Sequence, residues 1–567
     1  MKRKLLTGLL LINSCLSFVC ARGAQELLES GHWVYDSLTA ISLEAKVLNF
    51  SGTAPLTIKQ VQLYLDEIDY DSLSDVGREE YDRIERYFAE EPFKVINSDI
   101  LSVGFEPSLN LAGFYKTNDD IDWVYDRYER DPMLDVPATI ACGDYVTMKM
   151  DVILAQNKGA SLRDSNYTNI LYSADDFDIN FPDNGYFSTG IMLTEKTGIG
   201  FQIGKGSRSI GRTLTGSMIW SDYLTGVSYA QLELYSPSFK YTGAVSQFNV
   251  DKYMYHHQIE ARFFKIFQIT FVEGLLVYAP LELRYLNPWM IFHGIAAWRE
   301  YEPDDDDPES NTCDYFGINF QLTPVKYTRF YGTFAMTQYQ TPYERKNYGD
   351  SPTPNGLGAQ FGNETYIPYQ NGRFHIALEG SWADPYLYIK ESPNWSMVRT
   401  YSENMGDKAI FYEWIGSPFG PDTISGELSL GYEVPDKWSV DLIYLFMARG
   451  EQSGTNVFKK LYAATGWGGQ KTSFDTENED EAGAWAYPDK DSQSDWESKR
   501  DAISPSGTPE YVNRISIRGT WKPKNYLTFR IQPSFVAIMN HNNEQGEKAF
   551  GFELAAALSV NFINIKK

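Results

Sequence analysis

One stretch constrains this chain more than any other: Tyr253 to Pro288, YMYHHQIEARFFKIFQITFVEGLLVYAPLELRYLNP. From Tyr255 onward, Tyr255, His257, Ile259, Ala261 and Phe263 fall on one side, and His256, Gln258, Glu260 and Arg262 on the other. A period of two is the mark of a β-strand. The pattern returns many times. Phe374, Ile376 and Leu378 alternate with Arg373, His375, Ala377 and Glu379; Leu428, Leu430, Tyr432 and Val434 with Glu427, Ser429, Gly431 and Glu433. Ile515, Ile517 and Trp521 oppose Arg514, Ser516, Arg518 and Thr520, and near the end Phe552, Leu554, Ala556 and Leu558 oppose Glu553, Ala555, Ala557 and Ser559. Aromatics repeated on the apolar face and charges on the polar face fit a barrel with lipid outside and a polar lumen inside.

Hydropathy does not oppose this reading. The mean hydropathy of −0.37 suits a soluble protein, but lumen and loop polarity cancel the lipid-facing half of a barrel. Lys2, Arg3 and Lys4, then the apolar Leu5 to Val19, then Cys20-Ala21 read as a secretory signal over residues 1–21, with lipidation of Cys20 as an alternative. No later apolar run reaches the ~18 residues that a spanning helix needs. Only helices and closed barrels satisfy their backbone groups in a bilayer, so an exported membrane chain of this kind is expected to be a barrel.

Between Gln25 and Glu91 the period changes to a helical one, and Thr57 and Ser74-Asp75 read as helix starts. The expected organisation is a periplasmic helical bundle over residues 22–94 and an antiparallel transmembrane β-barrel over 95–567. At roughly 25 residues per strand with its connection, the barrel has room for about 16 to 20 strands, with eighteen expected. Short turns are expected at Phe264-Lys265, Pro324 to Lys326, Asp384-Pro385, Pro435 to Lys437 and Lys522 to Lys524. Long external loops are expected at Tyr301 to Asn311, Pro342 to Tyr369 and Gly450 to Glu510. Outside the signal only Cys142 and Cys313 remain, and the sequence leaves open whether they pair.

The formal charge of −25 disfavours nucleic acid as a partner, and an anionic ligand would need a local basic patch. Lys205, Arg208 and Arg212 in GKGSRSIGR form one candidate, without the Gly-Lys-Ser/Thr ending of a phosphate loop. The alternative is that these cations are neutralised across the lumen by Glu233, Glu260 or Glu273. Glu260 and Arg262 share a side of one strand and read as a lumen pair. Adjacent His256 and His257 point to opposite faces and make a poor metal site. Glu273 interrupts an apolar face, which suggests a bulge at Gly274 turning it inward, either as a register pin or toward Arg284. The acidic run Glu302 to Glu309 lacks the ligand spacing of a calcium loop. Trp467, Trp485 and Trp496 lie in a polar loop, where exposed aromatics could stack on sugar rings. No GxSxG or HExxH motif is present, so neither an enzyme nor a cofactor is expected.

The run DINFPDNGYFSTGIMLTEKTGIGFQIGKGSRSIGRTLTGSMIWSDYLTGVSYAQLEL and the following YMYHHQIEARFF strand resemble the central region of the Wzi capsule assembly family. The Tyr35-Asp36 opening and PLTIKQV resemble that family's helical bundle, whereas Ser209 to Arg212 stand where a tryptophan-glycine pair is common. The resemblance implies an eighteen-stranded outer-membrane barrel that holds capsular or exopolysaccharide at the cell surface. Surface polysaccharide, outer-membrane lipid and the barrel insertion machinery are then the expected partners of a monomer. A porin-like channel and a surface adhesin are the alternatives.

Overall fold

The computed structural model describes residues 22–563 apart from 50, 91–92, 99, 122–130, 156–165, 173–183, 294–311, 348, 350–352, 391–394, 404–408 and 452–495. Eighteen antiparallel strands close into a barrel. They are β1 (Ser102–Phe105 continued by Ser108–Lys116), β2 (Leu134–Cys142), β3 (Val146–Leu154), β4 (Gly185–Met192), β5 (Gly198–Gly206) and β6 (Val227–Ser236). Next come β7 (Phe239–Asn249), β8 (Lys252–Phe263), β9 (Phe267–Tyr278), β10 (Thr312–Val325), β11 (Thr328–Gln338) and β12 (Gly356–Tyr369). The set ends with β13 (Gly372–Ala383), β14 (Thr423–Val434), β15 (Trp438–Arg449), β16 (Glu510–Lys524), β17 (Leu527–Met539) and β18 (Lys548–Asn561). Closure runs from Glu553↔Lys116 to Asn561↔Ser108, so no edge is left between β18 and β1.

The alternation read from the sequence holds in space. Ile259, Leu378, Leu430, Ile515, Ile517 and Phe552 point out of the barrel and are exposed, while His256, Gln258, Glu260, Glu379, Glu427 and Glu553 point in and are buried. Polar inward side chains are covered because the lumen is filled by the chain's own segments.

Three helices, α1 (Trp33–Ala45), α2 (Ile58–Leu65) and α3 (Asp75–Ala89), pack at the end of the barrel where the connections are short. Thr57 and Gln60 form a reciprocal capping box at the start of α2, and the Ser74 hydroxyl accepts from Gly77 N–H at the start of α3. Val34, Leu38, Ile41, Val61, Tyr64, Ile84 and Phe88 form their common core. Barrel turns hold the bundle from below: Leu48 N–H donates to the Lys265 carbonyl at 2.7 Å, Tyr327 N–H to the Leu43 carbonyl at 2.8 Å, and Arg83 meets Asp436 at 2.8 Å.

Two expected features of the connections change. Asp384-Pro385 is not a tight turn but opens the long connection 384–422 at the opposite end. Of the loop expected from Pro342 to Tyr369, the part Gly356–Tyr369 is strand β12. Gly356 and Gly358 sit where inner chain presses on the wall. A Cβ on Gly358 would meet Leu387 at 2.6 Å, and one on Gly317 of β10 would meet Ile219 at 2.8 Å. Cys142 and Cys313, on β2 and β10, form no disulfide with each other.

Ile517 lies at the centre of β16 beside its neighbour Leu442 and is 51% exposed on the outer wall. Ile517→Lys is expected to lower folding stability in a bilayer by about 2–4 kcal/mol, the cost of a lysine at the midplane. Ile517→Ala, which only trims apolar area, should cost much less; urea titration in vesicles measures both.

Candidate functional site

The luminal residues singled out from the sequence form a ladder between wall and inner chain. Residues 51–57 lie inside the barrel beside the bundle, and there Thr53–Ala54 pair antiparallel with Ser209–Ile210 from the β5–β6 connection. Ile210 in turn bridges to Trp220. Glu260 of β8 stands beneath this pairing and accepts from Ser51 Oγ at 2.8 and 3.0 Å, Thr53 Oγ1 at 3.2 Å, Gln258 Nε2 at 3.0 Å and Gln268 Nε2 at 3.2 Å. Glu233 of β6 meets Lys240 Nζ at 3.0 Å and accepts from Gln60 Nε2 at 2.9 Å and Gln231 Nε2 at 3.0 Å. Glu379 of β13 accepts from Leu214 N–H at 2.6 Å, Thr215 N–H at 2.8 Å, Gln360 Nε2 at 2.8 Å and the Tyr331 hydroxyl at 2.6 Å. Each wall carboxylate is thus ringed by donors, as a charge in a closed lumen requires.

Above the ladder the filling is apolar. Met218, Ile219, Trp220 and Leu224 of the β5–β6 connection pack with Tyr386, Leu387, Tyr388, Met397 and Ile415 of the 384–422 connection. Met254, Val272, Cys313 and Ala335 of the wall complete that cluster. A separate cluster sets Phe419 of the same connection against Leu445, Met447, Val512 and Val536 of the wall. The lumen therefore contains a hydrophobic core.

Against this frame the sequence candidates separate. Arg208 is buried beside the Trp220 and Tyr229 rings, 3.1 Å from His256 Nε2, and donates to Gln231. Arg212 pairs with Asp36 of α1. Neither makes a direct ion pair with Glu233, Glu260 or Glu273; their nearest partners are Gln231 and Asp36 of the bundle. Glu260 and Arg262 do not pair either. Arg262 instead binds Glu67 and donates to the Leu48 carbonyl at 2.8 Å, since the inner chain supplies partners closer than the neighbour on the same strand. Lys205 falls on the outward side of β5 with Phe201 and Ile203, so GKGSRSIGR makes no single basic patch.

Glu273 does not turn inward. The β8–β9 and β9–β10 ladders run through it without a register shift, with His257 and Phe316 directly opposite, so it faces outward. The polar groups it needs come from residues 279–293, which fold over the outer wall. Arg284, in that segment, pairs with Glu282 at 2.6 Å rather than with Glu273. Trp467, Trp485, the run Glu302 to Glu309, residues 1–21 and Cys20 lie outside the described residues. Trp496 begins the short helix Trp496–Arg500 at the long-connection end. Among the described residues no group of three His, Cys, Asp or Glu side chains is arranged for a metal ion.

The sequence reading missed the partners that organise the lumen. Glu379 was legible as an inward acid, but its donors at Leu214 and Thr215 lie more than 160 positions away. Among the described residues, exposed side chains remain at the long-connection end. There the helix Pro342–Asn347 leaves Tyr343 72% exposed, and Arg345 reaches Asp501 at 3.6 Å, tying this helix to Trp496–Arg500.

Comparison with protein-family models and with curated proteins finds no match. Among solved structures the chain is similar to Wzi, an outer membrane protein involved in group 1 capsule assembly in Escherichia coli and described as a carbohydrate binding β-barrel. The TM-score is 0.56 at 10% identity, over 95% of this chain and 100% of that one. The two chains share a fold. The outer membrane channel DcaP of Acinetobacter baumannii aligns over 82% of this chain and 99% of its own, at 8% identity and a TM-score of 0.33. OccK10 of Pseudomonas aeruginosa aligns over 81% and 99%, at 6% identity and 0.36.

Two outcomes are expected. Lys240→Met leaves the buried Glu233 carboxylate short of its cation and should cost about 3–5 kcal/mol in unfolding experiments, while Lys240→Met with Glu233→Gln should recover most of the loss. His32 caps α1, its Nδ1 accepting from Val34 N–H at 3.3 Å. Burial, then the charges of Lys149, Arg22 and Arg83, pushes its pKa down to about 3. The unfolded chain binds this proton near pH 6.5, so the neutral-histidine contribution to stability is complete above that pH and is lost as pH falls toward 3. His32→Ser keeps a capping oxygen and should flatten the acid-side slope of melting temperature against pH.

Proposed function

We propose that the protein is an outer-membrane barrel that binds and retains polysaccharide at the surface of a diderm bacterium, with the helical bundle on the periplasmic side. The observation that carries this reading is the filled lumen: wall carboxylates are bonded to inner chain and an apolar core lies across the bore. Such a barrel is poorly suited to diffusion of small solutes, which needs a continuous aqueous path. The connections support this orientation, since barrels of this class have short periplasmic turns and longer external loops. The whole-chain likeness in fold to a carbohydrate binding barrel supports the choice of ligand. The role is one of binding rather than catalysis, and the contact surface is the long-connection end. Tyrosines such as Tyr343 there offer faces on which sugar rings can stack.

A deletion strain should retain less surface polysaccharide by glycan staining, and the purified protein should show no steady conductance in planar bilayers. A steady open pore would sink the anchoring reading in favour of a channel, and unchanged glycan retention would leave the adhesin reading standing.

A further inference from the structure

The connection between β9 and β10 does not leave the barrel for solvent. Residues 279–293 turn down and lie on the outside of β7, β8 and β9. The Tyr241 hydroxyl donates to the Pro288 carbonyl at 3.1 Å, and Glu282 N–H donates to the Tyr255 hydroxyl at 2.9 Å. Tyr285 and Phe292 pack on Tyr255, Leu275 and Val277. By strand alternation those three point out of the barrel, yet Tyr255 is only 1% exposed because the strap covers it.

The wall beside this apolar contact also carries polar groups. His257 and Glu273 are direct cross-strand neighbours, and Asp314 lies opposite Leu275, so all three face outward. The strap supplies a partner to each. The Phe292 ring lies 4.5 Å from the His257 ring, His293 N–H donates to Glu273 at 3.2 Å, and His293 Nδ1 lies 3.0 Å from Asp314 Oδ2. On its other face the strap presents Leu281, Leu283, Leu286, Trp289 and Ile291, with Leu283 78% and Trp289 90% exposed. An apolar strip of this kind has no stable place in water. It continues the lipid-facing belt of the same strands, where Ile259 and Phe271 are also exposed.

We infer that residues 279–293 form a membrane-seated cover, which replaces a polar patch of barrel wall by an apolar face immersed in the external leaflet. Its occupant is lipid, at the boundary of chains and headgroups where tryptophan is favoured. The strap brings one hydrogen-bonding group to Glu273 and one to Asp314, which lowers the cost of keeping these acids on the outer wall. This goes beyond the glycan reading and does not depend on it.

The test uses the full-length chain with Cys142 and Cys313 replaced by alanine, reconstituted in phosphatidylcholine–phosphatidylglycerol vesicles. Single cysteines at Leu283, Trp289, Ile259 and Tyr343 are labelled with bimane, and heat-modifiable mobility checks that each variant is folded. Lipids brominated on their chains should quench the labels at 283 and 289 as they quench the reference at 259, and aqueous iodide should quench only the label at 343. Iodide quenching at 283 and 289 matching that at 343, without quenching by brominated lipid, would overturn the inference in favour of a water-exposed loop. Loss of lipid quenching together with a Trp289→Cys disulfide dimer would overturn it in favour of a second copy as the occupant.

Discussion

A carboxylate held inside a closed barrel must have donors within reach, and this structure is arranged around meeting that requirement. Glu233, Glu260 and Glu379 stand on three different strands, and each takes hydrogen bonds from chain that is not part of the wall. The wall needs the inner chain to keep its charges paired, and the inner chain needs the wall to satisfy the backbone of segments with little sheet of their own. Leu214 and Thr215 show the second dependence. Their amides have no strand partner and are met by one glutamate of β13.

The same coupling explains the apolar core above the acids. Once residues 51–57 and the β5–β6 connection are held by polar contacts, the connection that follows β13 can bury Leu387, Tyr388 and Met397 against them. Tyr388 carries both kinds of contact, since its ring is in the core while its hydroxyl accepts from Ser417 N–H at 3.0 Å and donates to the Met218 carbonyl. Glycine at 317 and 358 gives this packing room where the inner chain meets the wall.

The barrel was legible in the sequence because a strand's two faces differ in a way that a period of two exposes residue by residue. Inward Gln258, Glu260 and Arg262 and outward Ile259 and Phe263 fall as the alternation requires. The helix starts at Thr57 and Ser74 were legible for a similarly local reason, since a cap is set by a few adjacent residues. The candidate site was far less so. Arg212 finds Asp36 across 176 positions, and Arg262 finds Glu67 across 195, distances at which strand periodicity carries no information. In β12, Gly356 and Gly358 face inner chain from the 384–390 segment, a contact that the strand's own sequence does not carry.

Glu273 joins the inside of the barrel to its outside. A bulge that turns an outward acid inward is one solution to a charge on a lipid-facing wall, but it shifts the register of every later pair on that strand. Here β9 keeps its register on both sides and the polar groups come from a strap laid over the wall. The inner chain does for Glu260 what the strap does for Glu273, bringing donors to an acid that the strand cannot relocate. With Glu233, Glu260 and Glu379 engaged by inner chain and Glu273 met by the strap, exposed side chains such as Tyr343 remain on the long connections. On the proposed reading, a surface glycan is met at that end of the barrel rather than drawn into its bore.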